Sequence, residues 1–222
     1  MLRIYDGAVP SRRRRLTPEQ RRDELMDVGA TLFEERAYED VTMEDVALRA
    51  SASRALMYHY FPTKREFFAA IWKRAHDRLS AEAFIDDTLS VRDGVAAALA
   101  AHLTFYQAHI PLVIIANRSS IATDPALRIP IAEEMRALCD RVLDASGVTG
   151  HAREVASAAL TGWIAFIREI TVEWLLGQRI SRTEVVDLCM GVLDVALGAE
   201  FDPTVTIKRG AAPSRTAVGV HP

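Results

Sequence analysis

The side chains of Arg54, Tyr58, His59 and Tyr60 stand close together in the chain, and Lys64 follows them. Guanidinium, phenol, imidazole and ammonium groups can all bond to phosphate oxygens or to the edges of bases. Between residues 46 and 65 the chain carries basic residues and no acidic one. We therefore predict a nucleic-acid contact surface without opposing charge, formed by Thr42, Ser53, Arg54, Ala55, Tyr58, His59, Tyr60 and Lys64.

Two short helices and a tight turn must position these side chains. Thr42 can cap a first helix, because Asp45 follows three residues later and can bond back to it. Ser53 offers an N-cap for a second helix, so the first must end near Ser51. Helices joined by so short a turn cross steeply, which predicts a helix-turn-helix in residues 41–64.

The same stretch resembles the TetR family of bacterial transcriptional regulators. The resemblance rests on a combination of residues that is specific only when taken together: Thr42, Ser53-Arg54, Tyr58-His59-Tyr60-Phe61 and Pro62-Thr63-Lys64. It implies an all-α protein, with an N-terminal three-helix helix-turn-helix DNA-binding domain followed by a helical ligand-binding and dimerisation domain.

Two residues depart from the family pattern. Ser51 stands where the family usually has the turn glycine, which predicts a strained turn residue. Leu56 replaces a small polar residue, which leaves the base preference open. Phe61 could either pack in the core or contact DNA.

Composition changes divide the chain. We predict a flexible basic arm at residues 1–16, whose Arg12–Arg15 run either follows DNA or is a solvated tail. A DNA-binding domain at 17–65 begins with the cap Thr17 and a proline at the first helical position. A linking helix at 64–84 leads to an effector-binding and dimerisation domain at 85–200, and 201–222 is predicted to be a disordered tail.

Apolar periodicity predicts helices in the C-terminal domain at 91–108, 111–119, 125–145, 152–176 and 182–198. The last of these is apolar on two faces, one formed by Val185, Leu188, Val192 and Val195 and the other by Val186, Cys189 and Leu193. A surface helix of a monomer needs only one such face. We therefore predict a homodimer formed through helices 152–176 and 182–198.

A few polar residues within these apolar helices suggest a small-molecule pocket. The candidates for effector binding are His102, Tyr106, His109, Asn117, Trp163 and Phe166, with Glu169 able to face them. The alternative is that these are surface or interface positions. Metal-ligand spacing and nucleophile motifs are absent from the sequence, so we expect neither a metal, nor a cofactor, nor catalysis.

The formal charge of −3 says little about partners. Cys139 and Cys189 lack metal spacing and indicate a reducing compartment. Because no stretch approaches the roughly 20 apolar residues of a membrane span, we expect a soluble cytoplasmic protein.

We predict a repressor that a small-molecule effector releases from operator DNA. The alternatives are a constitutive dimeric DNA-binding regulator without an effector, or an all-helical enzyme.

Overall fold

The structure, a computed structural model, describes residues 16–83, 89–198 and Thr204. Within these residues the chain forms α-helices and one short 3-10 helix, and no strand. The elements are α1 (Pro18–Glu35), the 3-10 helix (Tyr38–Asp40), α2 (Met43–Arg49), α3 (Arg54–Tyr60), α4 (Lys64–Ala83), α5 (Val91–Ala108), α6 (Ile110–Arg118), α7 (Pro125–Ser146), α8 (Gly150–Gly177) and α9 (Arg182–Leu197). The all-α prediction is confirmed, and the five predicted C-terminal helices are found within two residues of their expected bounds. The predicted basic arm and C-terminal tail lie outside the described residues, except for Leu16 and Thr204.

Hydroxyl side chains begin the helices of the N-terminal part as predicted. Thr42 Oγ1 accepts the Asp45 N–H at 3.1 Å, and the Thr42 N–H donates to the Asp45 carboxylate at 3.0 Å. Ser53 Oγ accepts the Leu56 N–H at 3.1 Å at the start of α3. These bonds satisfy amides that have no partner within their own helix. Thr17 caps α1, and Thr63 accepts the Glu66 N–H in the first turn of α4.

Aromatic rings hold the first four helices together. Phe33, Phe61, Phe67 and Phe68 are at most 2% exposed. The rings of Phe61 and Phe67 lie 4.8 Å apart, and those of Phe33 and Phe68 lie 5.1 Å apart. Phe61 is therefore a core residue rather than a DNA contact. We call the unit formed by α1, the 3-10 helix, α2, α3 and the first half of α4 the head.

The linking helix α4 continues from the head into the C-terminal helices. In the head its Phe67 packs against α1, where Gly29 leaves room for the ring. Further along, the Trp72 ring lies 6.0 Å from the ring of Tyr106 in α5. A single rigid element thus contacts both parts of the molecule.

Helix α8 is more apolar than expected. By length and composition alone α8 could cross a membrane. Helices α5 and α6 together meet the same criteria, but a bend of 98° separates them. The prediction that no stretch approaches a span is therefore wrong for α8. Its buried residues include Trp163, whose indole N–H donates to the Cys189 carbonyl of α9 at 2.7 Å. About 33% of the apolar stretch of α8 is buried within the described chain, in part against α9, and one helix of this kind is weak evidence for a membrane span.

The two faces of α9 are divided differently from the prediction. Val185, Cys189 and Leu193 are buried against the chain itself. Leu188 is 43% exposed and Val195 is 84% exposed. Val185 therefore belongs to the inner face with Cys189, whereas Leu188, about 60° from Val185 around the helix, lies on the exposed side. An apolar outer stripe remains uncovered.

Candidate nucleic-acid interface and effector region

Helix α3 presents most of the predicted contact residues on one surface. Met57 is fully buried and anchors the helix to the head. Ser53, Arg54, Ala55, Tyr58 and His59 are exposed, and Tyr60 is half-buried with its ring 5.4 Å from that of His59. Arginine, tyrosine and histidine on a short exposed helix offer donors to phosphates and base edges. The structure therefore brings the α3 candidates together on one side of the head.

The turn before α3 contains the strained residue that the sequence predicted. Ser51 has φ of +50°, in the left-handed region that L-residues other than glycine avoid. The Ala52 N–H donates to the Ala47 carbonyl at 2.8 Å, which closes the end of α2. Ser51 thus adopts a conformation that glycine would adopt without strain.

The predicted absence of opposing charge is wrong. Glu44 of α2 lies 2.6 Å from the Arg54 guanidinium, and the Tyr58 hydroxyl donates to the same carboxylate at 3.3 Å. The sequence argument counted only residues that follow Val46, whereas the crossing of α2 and α3 brings Glu44 beside Arg54. In this state an acidic side chain of the protein occupies two of the candidate DNA contacts.

Lys64 is also engaged within the protein. Its ammonium donates to the carbonyls of Tyr38 at 2.8 Å and Val41 at 3.0 Å, and it lies 4.4 Å from the centre of the Tyr38 ring. Burial lowers the pKa of Lys64, although Glu39 and Asp40 raise it. Lys64 therefore joins the start of α4 to the chain around the 3-10 helix.

Thr42 is also engaged within the protein, as the N-cap of α2. Its hydroxyl donates to the Asp45 carboxylate at 2.8 Å while accepting the Asp45 N–H. These bonds lower the pKa of Asp45. The exposed side chain of Thr42 nevertheless stays at the N-terminus of α2, where helix amides favour a nearby anion.

Three of the predicted effector residues come together inside the C-terminal part. The His102 and Tyr106 rings lie 3.9 Å apart, and Asn117, whose side-chain amide donates to the Val113 carbonyl at 2.8 Å, is near enough to affect the pKa of Tyr106. His76 of α4 joins them, with its ring 6.5 Å from that of Tyr106. We call His76, His102, Tyr106 and Asn117 the interior polar cluster. His76 was missed because the sequence showed it only as one polar residue in the apolar stripe of α4.

Burial dominates the chemistry of this cluster. It lowers the pKa of His76 to about 4 and that of His102 to about 3, and it raises the pKa of Tyr106. Both imidazoles are therefore neutral at pH 7. Neither Nε2 atom finds a hydrogen-bond partner among the described residues. Buried polar atoms without partners are uncommon and call for an explanation.

The other predicted effector residues lie elsewhere. His109 sits at the surface, where its Nδ1 is 3.1 Å from the carboxylate of Glu34 in α1. The indole N–H of Trp163 is engaged with α9, and Glu169 pairs with Arg118 at 2.5 Å. Phe166 is half-buried against the core. Periodicity identified helix faces but could not tell which neighbour each face meets, so it did not predict these contacts of His109, Trp163 and Glu169.

Polar contacts attach the head to the α6–α7 region. His109 meets Glu34, the Ser120 hydroxyl donates to Glu39 at 2.9 Å, and Arg65 lies 3.6 Å from Asp124. An open cleft of about 590 Å³ lies beside them, lined by residues 33–39 and by residues of α6 and the turn after it. The head is therefore joined to the C-terminal part at a second place besides α4. Within the described residues, no three His, Cys, Asp or Glu side chains are grouped as a metal site would need.

Comparisons with known proteins agree with this architecture. Residues 25–71, which span most of the head, match the family model described as bacterial regulatory proteins, tetR family. The chain is 26% identical over 172 residues to the HTH-type transcriptional activator FasR of Mycolicibacterium smegmatis, a match that covers 74% of this chain and 77% of that protein.

Solved structures share the fold. A tetR-family transcriptional regulator from Streptomyces coelicolor superposes with a TM-score of 0.65 and 23% identity, covering 80% of this chain and 79% of that one. The regulator FadR from Bacillus subtilis, in complex with stearoyl-CoA, gives a TM-score of 0.56 and 14% identity, covering 79% and 97%. The head therefore matches the tetR family model over residues 25–71, and the described chain shares the fold of these solved regulators.

Proposed function

We propose that this regulator binds operator DNA as a homodimer and that a small-molecule effector in the C-terminal part releases it, so that it acts as a repressor. The observation that carries the proposal is the pairing of an exposed, donor-rich α3 with an interior polar cluster that includes His76 of α4, the helix that leads from the head. The DNA-binding domain is then residues 17–65, the linking helix is 64–84, and the effector-binding and dimerisation domain is 85–200. As a soluble DNA-binding protein it would work in the cytoplasm, without catalysis.

The proposed mechanism depends on the distance between two heads. Recognition helices of a dimer must be about 34–36 Å apart, or a multiple of a DNA turn, to enter successive major grooves. Helix α4 contributes His76 to the interior polar cluster, and its Trp72 ring lies near that of Tyr106. The same helix begins in the head at Lys64, which bonds to the Tyr38 carbonyl. An effector that displaces this part of α4 would change the spacing of the heads. Linkage then makes effector and operator antagonistic by the same factor in both directions.

Activation is the second candidate, because the relative FasR is described as an activator. The two are separated by a reporter gene behind the operator. Operator sequences are first selected from random DNA with the purified protein. Expression that rises when the regulator is deleted supports repression, whereas expression that falls supports activation.

The DNA-binding surface is tested with Arg54→Ala. We expect a loss of about 1–3 kcal/mol of operator binding with unchanged helical content, because the side chain is 72% exposed and leaves no cavity. Arg136→Ala on α7, which is also exposed, is the control. Equal operator affinity of Arg54→Ala and the wild type would reject α3 as the DNA-reading element.

Dimerisation is proposed through the outer faces of α8 and α9. On α8 the exposed residues Ala158, Gly162 and Ala165 are small and would let a partner helix approach closely, and Leu188 and Val195 of α9 are apolar and uncovered. A two-fold contact uses the same face of each chain. Val192, half-buried beside this stripe, would lie at its edge.

Gly162→Arg separates this contact from the folding of one chain. A Cβ at Gly162 meets nothing within 4 Å in the monomer, so the variant should fold. We expect it to sediment as a monomer at micromolar concentration, while the wild type and the exposed control Gln107→Arg remain dimers. A dimeric Gly162→Arg would place the contact elsewhere, and a monomeric wild type would reject the dimer.

The effector is sought by thermal stabilisation and then by operator affinity. Stearoyl-CoA is one compound to include, since FadR from Bacillus subtilis was solved with it. A compound that stabilises the protein should weaken operator binding about 5- to 150-fold. If a tightly bound compound leaves operator affinity unchanged, the protein is a constitutive DNA-binding regulator.

A further inference from the structure

Two neighbouring cations at the start of α4 are used differently. The Lys64 ammonium has three N–H donors. Three carbonyls lie within bonding distance of it, those of Tyr38 at 2.8 Å, Val41 at 3.0 Å and Glu39 at 3.4 Å. While these bonds last, Lys64 has no donor left for a DNA phosphate. Arg65 comes next in the chain, and its side chain is 72% exposed.

Arg65 stands where the head would meet the DNA backbone. The bond from Lys64 to the Val41 carbonyl places the start of α4 beside the residue that precedes Thr42, the N-cap of α2. In a helix-turn-helix the first helix of the motif crosses the DNA backbone, while the second enters the major groove. A guanidinium beside that first helix can reach a phosphate, and its planar fork fits two phosphate oxygens.

The partner of Arg65 in this structure belongs to the C-terminal part. The Arg65 Nη1 atom lies 3.6 Å from Oδ2 of Asp124, which makes an ion pair beyond hydrogen-bond distance. Asp124 uses its other oxygen, Oδ1, to accept the Ala126 N–H at 2.9 Å as the N-cap of α7. The cap therefore fixes Asp124, which is only 16% exposed, whereas the exposed arginine is free to turn toward another anion.

We propose that Arg65 binds a DNA phosphate and that Asp124 competes with the operator for the same guanidinium. This inference rests on the proposed function, because it assigns a further DNA contact to the head. Two anions close to one guanidinium repel each other, so a bound phosphate weakens the contact with Asp124 and the reverse. Operator binding should therefore loosen one of the contacts that attach the head to the α6–α7 region.

The salt dependence of operator binding tests the phosphate contact. The full chain is titrated with a selected operator duplex over a range of salt concentrations. Each lost phosphate contact makes the slope of log affinity against log salt shallower by about 0.9, so Arg65→Gln should change it by about 2 in a dimer. Affinity at low salt should fall about tenfold or more. Arg65→Lys keeps a charge and should retain most of the slope.

Asp124→Asn tests the competition. Asparagine keeps the capping oxygen and removes the charge. We expect operator affinity to rise about 2- to 10-fold, because no carboxylate then holds Arg65. The gain should vanish when Asp124→Asn is combined with Arg65→Gln. If the pair only held the head in place, the two single variants would instead shift operator affinity in the same direction. Asp124→Ser, which can also cap, replaces the asparagine variant if that variant loses thermal stability.

Arg92→Gln and Asp194→Asn form the matched control. Arg92 Nη2 lies 2.9 Å from Asp194 Oδ2, so this pair also joins an arginine to an aspartate of another helix, here α5 to α9. Their side chains are 43% and 48% exposed. The two variants make the same charge changes as those at Arg65 and Asp124, but in the C-terminal part. Neither should change the salt slope or the operator affinity.

The inference is overturned if Arg65→Gln keeps the wild-type slope, if Asp124→Asn does not strengthen operator binding, or if its gain persists without Arg65. Each of these results leaves the proposed function standing, because the wild type still binds its operator. A wild type that binds no selected DNA would refute the proposed function and, with it, this inference.

Discussion

Glu44→Gln should strengthen operator binding. In the free protein the Glu44 carboxylate lies 2.6 Å from the Arg54 guanidinium and accepts the Tyr58 hydroxyl at 3.3 Å. Both groups must leave Glu44 if they are to bind DNA phosphates or bases. Glutamine keeps the size of the side chain and removes the charge that competes with the DNA.

The magnitude follows from exposure. The side chains of Arg54 and Glu44 are 72% and 41% exposed, so solvent screens the pair and its contribution is about 0.2–1 kcal/mol. A dimer breaks this pair twice, which gives about 0.4–2 kcal/mol, or about a 2- to 30-fold gain in operator affinity. The gain should shrink as salt rises, because the lost charge acts across a screened surface.

Fluorescence anisotropy with a selected operator at low and at higher salt measures the effect. Glu133→Gln makes the same charge change at an exposed position on α7 and controls for net charge. Glu44→Gln combined with Arg54→Ala should lose the gain. Weaker binding by Glu44→Gln would refute the reasoning, because Glu44 would then orient Arg54 for DNA and would not compete with it.

Three further predictions concern stability. Ser51→Gly should stabilise the protein by about 1 kcal/mol in urea denaturation, since φ of +50° is free of strain for glycine; no gain would mean that the turn is relaxed. Gly29→Ala should destabilise it by about 1–3 kcal/mol, because the added Cβ would lie 2.2 Å from Phe67; unchanged stability would show that the ring moves aside easily. The pKa values of about 4 for His76 and about 3 for His102 lie below the unfolded value of 6.5, so the unfolded chain takes up more protons as pH falls. The free energy of unfolding should therefore drop below pH 6.5, by up to about 1.4 kcal/mol per pH unit for each histidine until the folded pKa is reached, and equal stability at pH 7 and 5 would contradict their burial.

The features that could be predicted from sequence are those that depend on near neighbours in the chain. The Thr42–Asp45 and Ser53–Leu56 caps are formed across three residues, and Ser51 was located by the caps on either side of it. Residue type and spacing determine such bonds without knowledge of the fold. The bounds of the helices could be predicted for the same reason.

Contacts between distant segments could not be predicted in this way. Lys64 bonds to the Tyr38 carbonyl 26 residues earlier, and His76 meets Tyr106 across two helices. Periodicity shows that a side chain faces inward, but several neighbours compete for that face. His109 and Trp163 were assigned to the effector region on periodicity alone, and their actual partners are Glu34 and the α9 backbone.

The second attachment of the head limits how it can move. A body held only by the end of one helix can tilt in any direction about that point. The contacts of Glu34, Glu39 and Arg65 with the α6–α7 region fix further points away from the α4 axis. While they persist, these contacts restrict the tilting of the head about α4. Breaking one of these contacts should therefore widen the range of head orientations before it alters their average.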